Sequence, residues 1–152
     1  MQEQSGNTLL NNFVEMCKAS NLKVTPQRMA IYRELCNSTQ HPTVDAMFQV
    51  VQKEFPNISY DTVSRTMLTF AQIGIVDLVE VFGGAKRFDP NVTNHHHHLH
   101  CVSCGKIFDF HSDQYDNLDI PDEIQKQFRV FSSRVVLKGV CEECSRSGKK
   151  SP

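Results

Sequence analysis

Two Cys-x-x-Cys pairs constrain the fold of this chain more than any other feature. They start at Cys101 and Cys141, and residues 105–140, 36 in all, separate them. A tight turn lets each pair present two thiolates to one ion, and four thiolates form a closed tetrahedral set that suits Zn²⁺. An iron–sulfur cluster, a redox disulfide pair and four unrelated buried thiols are the alternatives. We predict a structural zinc site with the ligands Cys101, Cys104, Cys141 and Cys144. The ion would hold the last strand against its sheet.

The composition is typical of a globular chain, since 39% of the 152 residues are hydrophobic and 22% are charged. This length suits one ordinary domain or two small ones. No apolar run approaches about 18 residues, so no membrane span is predicted. The N-terminus lacks the basic and apolar regions of a secretory signal. We therefore expect a cytoplasmic protein, in which paired cysteines indicate metal binding before disulfides.

The net charge gives no general support to nucleic-acid binding. The formal charge is −1, and residues 1–90 carry eight Lys/Arg against nine Asp/Glu, while the remainder carries eight of each. Any binding to DNA would need a locally basic face.

Apolar residues at helical spacing predict two helices near the N-terminus. The first covers about residues 7–20, and the second begins after Thr25, a candidate N-cap, with Pro26 at the first helical position. Cys17 and Cys36 fall within the apolar patterns of these helices. We interpret these two thiols as core residues.

Two further helices follow and are joined by a short Pro/Asn turn. The third begins at Thr43, and the fourth begins near Ser59 and ends at Gly74, which is a favourable C′ residue. Apolar segments on either side of Gly83-Gly84 then predict a β-hairpin with a two-residue turn. This order is typical of a winged helix-turn-helix, in which the helix at 60–73 would lie in the major groove. A small helical bundle with an added hairpin is the alternative.

The composition changes near residue 90, where histidine, cysteine and β-forming residues become frequent. The fold class predicted is α+β, with an N-terminal winged helix-turn-helix domain and a C-terminal α+β dimerisation domain. The predicted domains are residues 1–88 and 89–152. Within the second domain the pattern predicts strands at 97–101 and 106–110, a helix near 121–128, a strand within 129–140, and a disordered tail from about 146.

The four histidines at 95–98 form an internal run that leads directly into Cys101, which argues against a purification tag. A strand sends alternate side chains to opposite faces, so a single ion would take two histidines that are two residues apart. One face would carry His96, His98 and His100, and the other His95 and His97. Partners available elsewhere are His41, Asp89 and Asp109.

Four segments carry a resemblance to a known family. They read VTPQRMAIYREL, HPTVDAMFQVVQKEFPNISYDTVSRTMLTFAQIGIV, RFD and HHHHLHCVSCGKIFDF…GVCEEC. Together they resemble the ferric-uptake-regulator (Fur) family of bacterial metal-dependent repressors over about residues 10–145. The resemblance implies that the N-terminal domain binds double-stranded operator DNA and that the C-terminal domain forms a homodimer.

The resemblance also implies two metal sites, a Cys₄ zinc site and a regulatory site for Fe²⁺ or Mn²⁺. Iron-sensing members usually carry Glu at the two carboxylate positions of the regulatory site, whereas the peroxide-stress regulators (PerR) carry Asp at both. This chain has Asp twice and so resembles the peroxide-sensing branch, in which His41 or His96 would be the oxidised ligand. The regulatory ligands implied are His41, Asp89, His96, His98 and Asp109.

The expected DNA contacts lie in the fourth helix, at Tyr60, Thr62, Ser64 and Arg65. Family members commonly read T-V-Y-R here, whereas this chain has Ser in place of Tyr. Arg65 can still reach a guanine edge or a phosphate. The loss of an aromatic contact indicates an operator sequence that differs from those of relatives.

A further family site uses the opposite face of the histidine strand, where His95 and His97 could supply two ligands. Residues 132–134, Ser-Ser-Arg, stand where a later histidine is expected, so we expect this site to be absent or weak. His100 is left without a role.

Three other functions remain as alternatives. The first is an iron- or zinc-sensing repressor of the same family without a peroxide response. The second is a non-haem iron enzyme, which no Gly-rich phosphate loop or nucleophile motif supports, and the third is a metal-storage or protein-interaction module. We expect no enzymatic activity and no small-molecule substrate.

Overall fold

The structure is a computed structural model that describes residues 2–79, 81 and 83–148, with side chains from Thr8 onwards. The chain divides into two compact units, residues 1–92 and 93–152. The domain boundary predicted after residue 88 lies close to this division. Among the described residues, no helix has the length and apolar character needed to cross a membrane.

The first unit contains four helices followed by a two-stranded antiparallel sheet. The side-chain oxygens of Thr25, Thr43 and Ser59 each accept a hydrogen bond from the backbone N–H three residues later, as N-caps do. Gly74, at φ +77°, follows the fourth helix in the left-handed conformation that favours glycine. The predicted N-cap Thr25, the predicted C′ residue Gly74 and the predicted helix starts at Thr43 and Ser59 are therefore confirmed. The elements are α1 (Gln2–Ala19), α2 (Pro26–Asn37), α3 (Val44–Glu54), α4 (Tyr60–Gln72), β1 (Asp77–Val79) and β2 (Arg87–Asp89).

The main hydrophobic core lies in the first unit. At its centre the ring of Phe13 stacks on Tyr32 at 4.6 Å and meets Phe70 edge-on at 5.4 Å. Cys17 is fully buried in this core and Cys36 packs against it. These positions confirm the prediction that both cysteines are core residues, and burial raises the pKa of both thiols. The buried members of the cluster are Phe13, Cys17, Ile31, Tyr32, Leu35, Met47, Val51, Ile58, Val63, Met67, Phe70, Ile75, Val76 and Phe88.

The hairpin that follows α4 differs from the prediction in its turn. β1 and β2 pair in antiparallel register with Val79 opposite Arg87. A two-residue turn at Gly83–Gly84 would instead place Val79 opposite Phe88. The strands are present as predicted, but their register excludes that turn without a bulge.

The second unit has a three-stranded sheet with β3 in the centre, antiparallel to β4 and parallel to β5. The predicted strands at 97–101 and 106–110 and the helix near 121–128 are confirmed. The backbone N–H of Ser147 donates to Glu143, so a turn follows the last helix; residues 149–152 of the predicted tail lie outside the described residues. The elements are β3 (His97–Cys101), β4 (Ile107–Phe110), α5 (Asp113–Asp116), α6 (Asp122–Gln127), β5 (Val136–Gly139) and α7 (Glu142–Arg146).

The second unit buries few hydrophobic side chains. Among its described residues these are Cys101, Ile107 and Cys144. Many larger ones are exposed, and Phe131 is 85% accessible. We call this set the exposed apolar residues of the second unit: Leu99, Phe108, Leu118, Ile124, Phe128, Val130, Phe131, Leu137 and Val140.

Candidate metal centres and nucleic-acid interface

The four cysteines of the two Cys-x-x-Cys pairs converge in the second unit. Their sulfur atoms all lie within 4.8 Å of one another, and the Sγ atoms of Cys104 and Cys141 are 3.9 Å apart. Four sulfurs at about 2.3 Å from a tetrahedral ion are about 3.8 Å apart. The donor set and its spacing therefore fit one Zn²⁺ ion.

Parallel strand pairing brings the two cysteine pairs together across their long sequence separation. Cys101 ends β3 and lies opposite Gly139 of β5. The first pair then closes in a turn, in which Gly105 at φ +74° donates its N–H to the Cys101 carbonyl at 2.8 Å. The N–H of Cys141 points at the Cys101 sulfur at 3.2 Å.

The surroundings of Cys101 favour its thiolate. Hydrogen bonds from the backbone N–H groups of Cys141 and then Cys104 lower the pKa of the Cys101 thiol to about 6. Metals bind the thiolate form of cysteine. Backbone N–H groups therefore contribute most to preparing this ligand for an ion.

A second group of donors in the same unit combines two histidines with one carboxylate. The Nε2 atoms of His96 and His98 are 3.2 Å apart, and both histidines are fully buried. Asp109, opposite His98 on β4, brings its Oδ1 to 3.6 Å from His98 Nε2 and 4.0 Å from His96 Nε2. Nitrogen and carboxylate oxygen donors that converge in this way suit Fe²⁺, Mn²⁺ or Zn²⁺.

A backbone carbonyl determines which ring nitrogen of His96 carries the proton. Its Nδ1 lies 2.7 Å from the carbonyl oxygen of Asn94, which can only accept a hydrogen bond. Nδ1 therefore carries the proton, and in the neutral ring Nε2 keeps its lone pair for an ion. Metal-bound histidines are commonly oriented in this manner.

The first unit holds the other two predicted ligands side by side. His41 Nε2 lies 3.7 Å from Asp89 Oδ2, and both side chains are buried. Two contacts with β2 hold this segment: Arg87 donates to the His41 carbonyl at 3.1 Å, and the N–H of Phe88 donates to Pro42 at 3.1 Å. The hairpin thus positions His41 although Arg87 lies 46 positions further along the chain.

The opposite face of the histidine strand carries a third group, formed by His95, His97 and Asp116. Asp116 Oδ1 lies 2.7 Å from His95 Nδ1 and 2.9 Å from His97 Nε2. The N–H of Val135 donates to His97 Nδ1 at 3.1 Å, so the proton of that ring sits on Nε2. His95 Nε2 faces the Ser133 carbonyl at 2.7 Å.

This third group was only half predicted. We expected no strong site here because a later histidine is missing, and the structure adds Asp116, which the sequence pattern did not indicate. In the observed arrangement both ring nitrogens of His95 and the Nε2 of His97 lie at hydrogen-bonding distance from oxygen atoms. The group is therefore held by hydrogen bonds, and an ion would have to replace these contacts. Its weakness as a metal site stays a prediction.

The predicted DNA contacts differ in how far they are available on α4. The Arg65 side chain is 80% exposed, and Tyr60 is 45% exposed while its ring meets Phe48 edge-on at 5.7 Å. Thr62 forms a hydrogen bond with the N-cap Ser59 through its own hydroxyl at 2.8 Å. Ser64 is partly buried. Arg65 is thus the most accessible of the four side chains.

The sequence profile of the ferric uptake regulator family matches residues 19–138, which is most of the chain. The chain belongs to this family. The family assignment made from the sequence segments is therefore confirmed.

Two kinds of relative agree with this membership. The peroxide-responsive repressor PerR of Staphylococcus epidermidis is 37% identical over 139 residues, covering 91% of this chain and 92% of that protein. The Fur of Helicobacter pylori, described as having three functional metal-binding sites, superposes with a TM-score of 0.76 at 22% identity, covering 92% and 93%. PerR from Streptococcus pyogenes superposes with a TM-score of 0.51 at 28% identity, covering 90% and 92%. These superpositions confirm the predicted fold class.

Some functional groups of this family member have no strong signal in the sequence. The carbonyls of Asn94 and Ser133, which hold two histidine rings, belong to the backbone, and any residue could supply them. Asp116 lies in a four-residue helix and no spacing rule links it to the histidines. Asp61 could have been found, because it stands four residues before Arg65, a spacing at which opposite charges pair on a helix.

Proposed function

We propose that this Fur-family protein is a metal-dependent, peroxide-sensing repressor. It binds operator DNA as a homodimer when its regulatory site holds Fe²⁺ or Mn²⁺, and it is released when iron-catalysed oxidation damages a ligand histidine. The proposal implies a cytoplasmic protein, since it acts on DNA. The names of the relatives at 36–37% identity support this reading.

The regulatory ion would be held by ligands from both units. The first unit offers His41 and Asp89, and the second offers the other three, His96, His98 and Asp109. An ion that needs both sets is bound more tightly in a state in which the units are held in one arrangement. It shifts the population toward that state only by this difference in affinity.

The observation that carries the peroxide response is the pair of aspartates, Asp89 and Asp109, in the proposed ligand set. Both are one methylene shorter than glutamate, so each reaches less far around an ion. Two shorter carboxylates would cover less of a bound ion and would leave room for a small molecule such as H₂O₂. Asp109 Oδ1 lies 3.6 and 4.0 Å from the two histidine nitrogens, so this shorter side chain still reaches the other proposed ligands.

The oxidation step inserts one oxygen atom into a ligand imidazole. Cleavage of the O–O bond needs an electron, which a bound Fe²⁺ would supply and a bound Mn²⁺ would not readily supply. Overall, one oxygen of H₂O₂ ends on a ring carbon of His41 or His96 and the other leaves as water, so the ring loses two electrons to peroxide. The modified ring is a poorer ligand, and the ion is released.

The Cys₄ group has a separate role as a structural Zn²⁺ site. Four thiolates leave no open coordination position for a substrate or sensor molecule. The second unit has few buried hydrophobic residues of its own. Zinc binding therefore contributes free energy that the small core does not supply.

A homodimer would cover the exposed apolar residues of the second unit. A monomer that leaves Phe128 64% and Phe131 85% accessible exposes more aromatic surface than a soluble chain usually does. Two copies of α4 would then reach half-sites separated by about one turn of DNA or a multiple of it.

The test is a DNA-binding titration in which metal and peroxide are varied independently. The Fe²⁺-loaded and Mn²⁺-loaded proteins are bound to their operator and treated with H₂O₂, and tryptic peptides are weighed. We expect the Fe²⁺ form alone to release DNA and to gain one oxygen on His41 or His96. The Asp109→Glu variant should bind DNA with Mn²⁺ but respond to peroxide more slowly in the Fe²⁺ form.

Other results would separate the alternatives. Release of DNA in both metal forms, or no added oxygen in the Fe²⁺ form, contradicts the peroxide mechanism. Retention of DNA by the peroxide-treated Fe²⁺ form would favour an iron- or zinc-sensing repressor. Failure to bind any duplex in any metal form would contradict repression itself.

A further inference from the structure

The most exposed side chain of α4 is held by a neighbouring carboxylate. Asp61 Oδ2 lies 2.8 Å from Nε of Arg65, and the two side chains are 68% and 80% exposed. The acid stands four residues before the base, which is the favourable order along a helix. An exposed ion pair of this type contributes little to stability, so stability does not explain the pair.

The net side-chain charge of α4 also indicates a role in base recognition. Asp61 and Arg65 are the only charged residues among the 13 of α4, so the helix has no net side-chain charge. Attraction to phosphates depends on the number of uncompensated cations. If α4 bound the DNA backbone through Arg65 alone, the adjacent carboxylate would weaken its attraction to the phosphates. The pair is better suited to reading a base.

The geometry of the contact leaves one edge of the guanidinium available. Asp61 Oδ2 approaches Nε, and the Arg65 side chain is 80% exposed, so the terminal nitrogens Nη1 and Nη2 are the atoms that this inference assigns to a base. That edge matches the O6 and N7 acceptors of guanine in the major groove. A held guanidinium loses less rotamer entropy on contact with the base than a mobile one does.

Neighbouring side chains do not compete for this role. The hydroxyl of Thr62 is bonded to the N-cap Ser59, and Ser64 is short and partly buried. Asp61 itself lies in the first turn of α4, where a carboxylate is favoured by the helix dipole. The carboxylate therefore stands at a favourable position of the helix, four residues before Arg65.

We propose that Asp61 is a positioning residue for DNA specificity, holding Arg65 so that its terminal nitrogens read a guanine in each half-site. This inference rests on the proposed function, in which α4 enters the major groove. It predicts that Asp61 changes which base pair is preferred without itself contacting DNA.

The test starts with the full-length, metal-loaded protein and selects duplexes from a random library. Affinities are then measured for the selected operator and for each single-base-pair variant, at several salt concentrations. The variants are Asp61→Ala, Asp61→Glu, Arg65→Ala and the double variant. Asp45→Ala is the matched control, because Asp45 is an exposed acid in the first turn of α3.

We expect Arg65→Ala to lose roughly 5- to 150-fold discrimination at one G·C pair per half-site, the range for one bidentate contact. Asp61→Ala should lose several-fold discrimination at that same pair, with no steeper salt dependence. The double variant Asp61→Ala/Arg65→Ala should discriminate between base pairs no less well than Arg65→Ala alone. Asp61→Glu should recover part of the discrimination, whereas Asp45→Ala should leave discrimination unchanged.

The outcomes separate this inference from the proposed function. If the wild-type protein selects no duplex, the proposed function fails and the inference fails with it. If the protein selects an operator but Asp61→Ala discriminates as well as wild type, only the positioning role is wrong. A loss at a base pair that Arg65→Ala still discriminates would show that Asp61 reads a base itself, which also overturns positioning. Unchanged melting temperature and zinc content of Asp61→Ala exclude a folding defect.

Discussion

Adjacent histidines in one run differ in chemistry because different backbone groups hold them. His96 donates a hydrogen bond from Nδ1 to the Asn94 carbonyl, and its Nε2 faces His98. His97 accepts a hydrogen bond from the Val135 N–H at Nδ1, and its Nε2–H donates to Asp116. The two rings therefore present opposite tautomers. At the scale of single residues, this difference separates a ring that is ready to bind an ion from one that serves as a hydrogen-bond donor.

Manganese binding should distinguish these two roles. We expect His98→Ala to lower Mn²⁺ affinity by more than about 100-fold. Loss of a residue that only hydrogen-bonds a metal ligand costs at most about that much, and loss of a ligand should cost more. His97→Gln, on the same strand but the opposite face, should change Mn²⁺ affinity by less than about tenfold. Calorimetric titration measures both, with zinc content as the check on folding. Equal losses in the two variants would contradict the assignment of ligands to one face.

At the scale of elements, the helices of the first unit start where their caps are. The sequence predicted the N-cap Thr25 and the helix starts at Thr43 and Ser59, because capping is a local property of a few residues. The hairpin strands were also predicted, but the register of β1 and β2 fits a two-residue turn at Gly83-Gly84 only with a bulge, since register depends on packing as well as on the Gly-Gly pair. Features that depend on a few neighbouring residues could be predicted from the sequence, whereas the register between two strands could be predicted less well.

The cap of α4 should have a measurable effect on stability. We expect Ser59→Ala to lower the free energy of unfolding of the first unit by about 1 kcal/mol, within roughly 0.5–2. Ser59 accepts the Thr62 N–H and also bonds the Thr62 hydroxyl. Ser59→Asp keeps an acceptor and should be near wild type. Urea denaturation measures the change, and equal destabilisation by both variants would argue against a capping role.

At the scale of the whole molecule, the two units differ in what stabilises them. The first has a large apolar core. The described part of the second has only Cys101, Ile107 and Cys144 as buried hydrophobic residues. Such a unit is expected to depend on a metal ion and on a partner surface.

Removal of zinc should therefore unfold the second unit. Structural zinc sites supply about 10–16 kcal/mol in small zinc domains, which matches or exceeds the about 5–15 kcal/mol stability of an ordinary domain. We expect chelation, or Cys104→Ser, to abolish protection from hydrogen exchange in residues 93–148 while α1–α4 stay folded. The control variant Cys36→Ser, which changes a cysteine of the first unit, should retain zinc in the Cys₄ site. Persistent protection in zinc-free protein would show that the site is not structural.

Dimerisation should depend on the exposed apolar residues of the second unit. We expect Phe131→Glu to weaken self-association by at least about fivefold, which corresponds to the loss of about 1 kcal/mol or more when a buried anchor residue is removed. Val50→Glu, at a 42% exposed position on α3, is the matched control and should leave association unchanged. Sedimentation velocity over a concentration series measures both. A Phe131→Glu variant that stays dimeric with folded zinc sites would place the interface elsewhere.

The sequence by itself determined the parts of this protein that depend on local spacing. Helical periodicity, N-caps, the Cys-x-x-Cys turns and the alternation of His96 and His98 along a strand all follow from a few neighbouring residues. The family could also be recognised at that level. The positions of the ligand sets were inferred through the resemblance and not from spacing alone.

Only the tertiary structure decided which distant groups meet. The parallel pairing of β3 with β5 brings Cys101 beside Cys141, and the hairpin holds His41 near Asp89. Backbone carbonyls and N–H groups then set the ring protons of the histidine run. The physical reason is that sequence patterns carry side-chain identity and local period, whereas hydrogen bonds between distant backbone segments form only once the chain has packed.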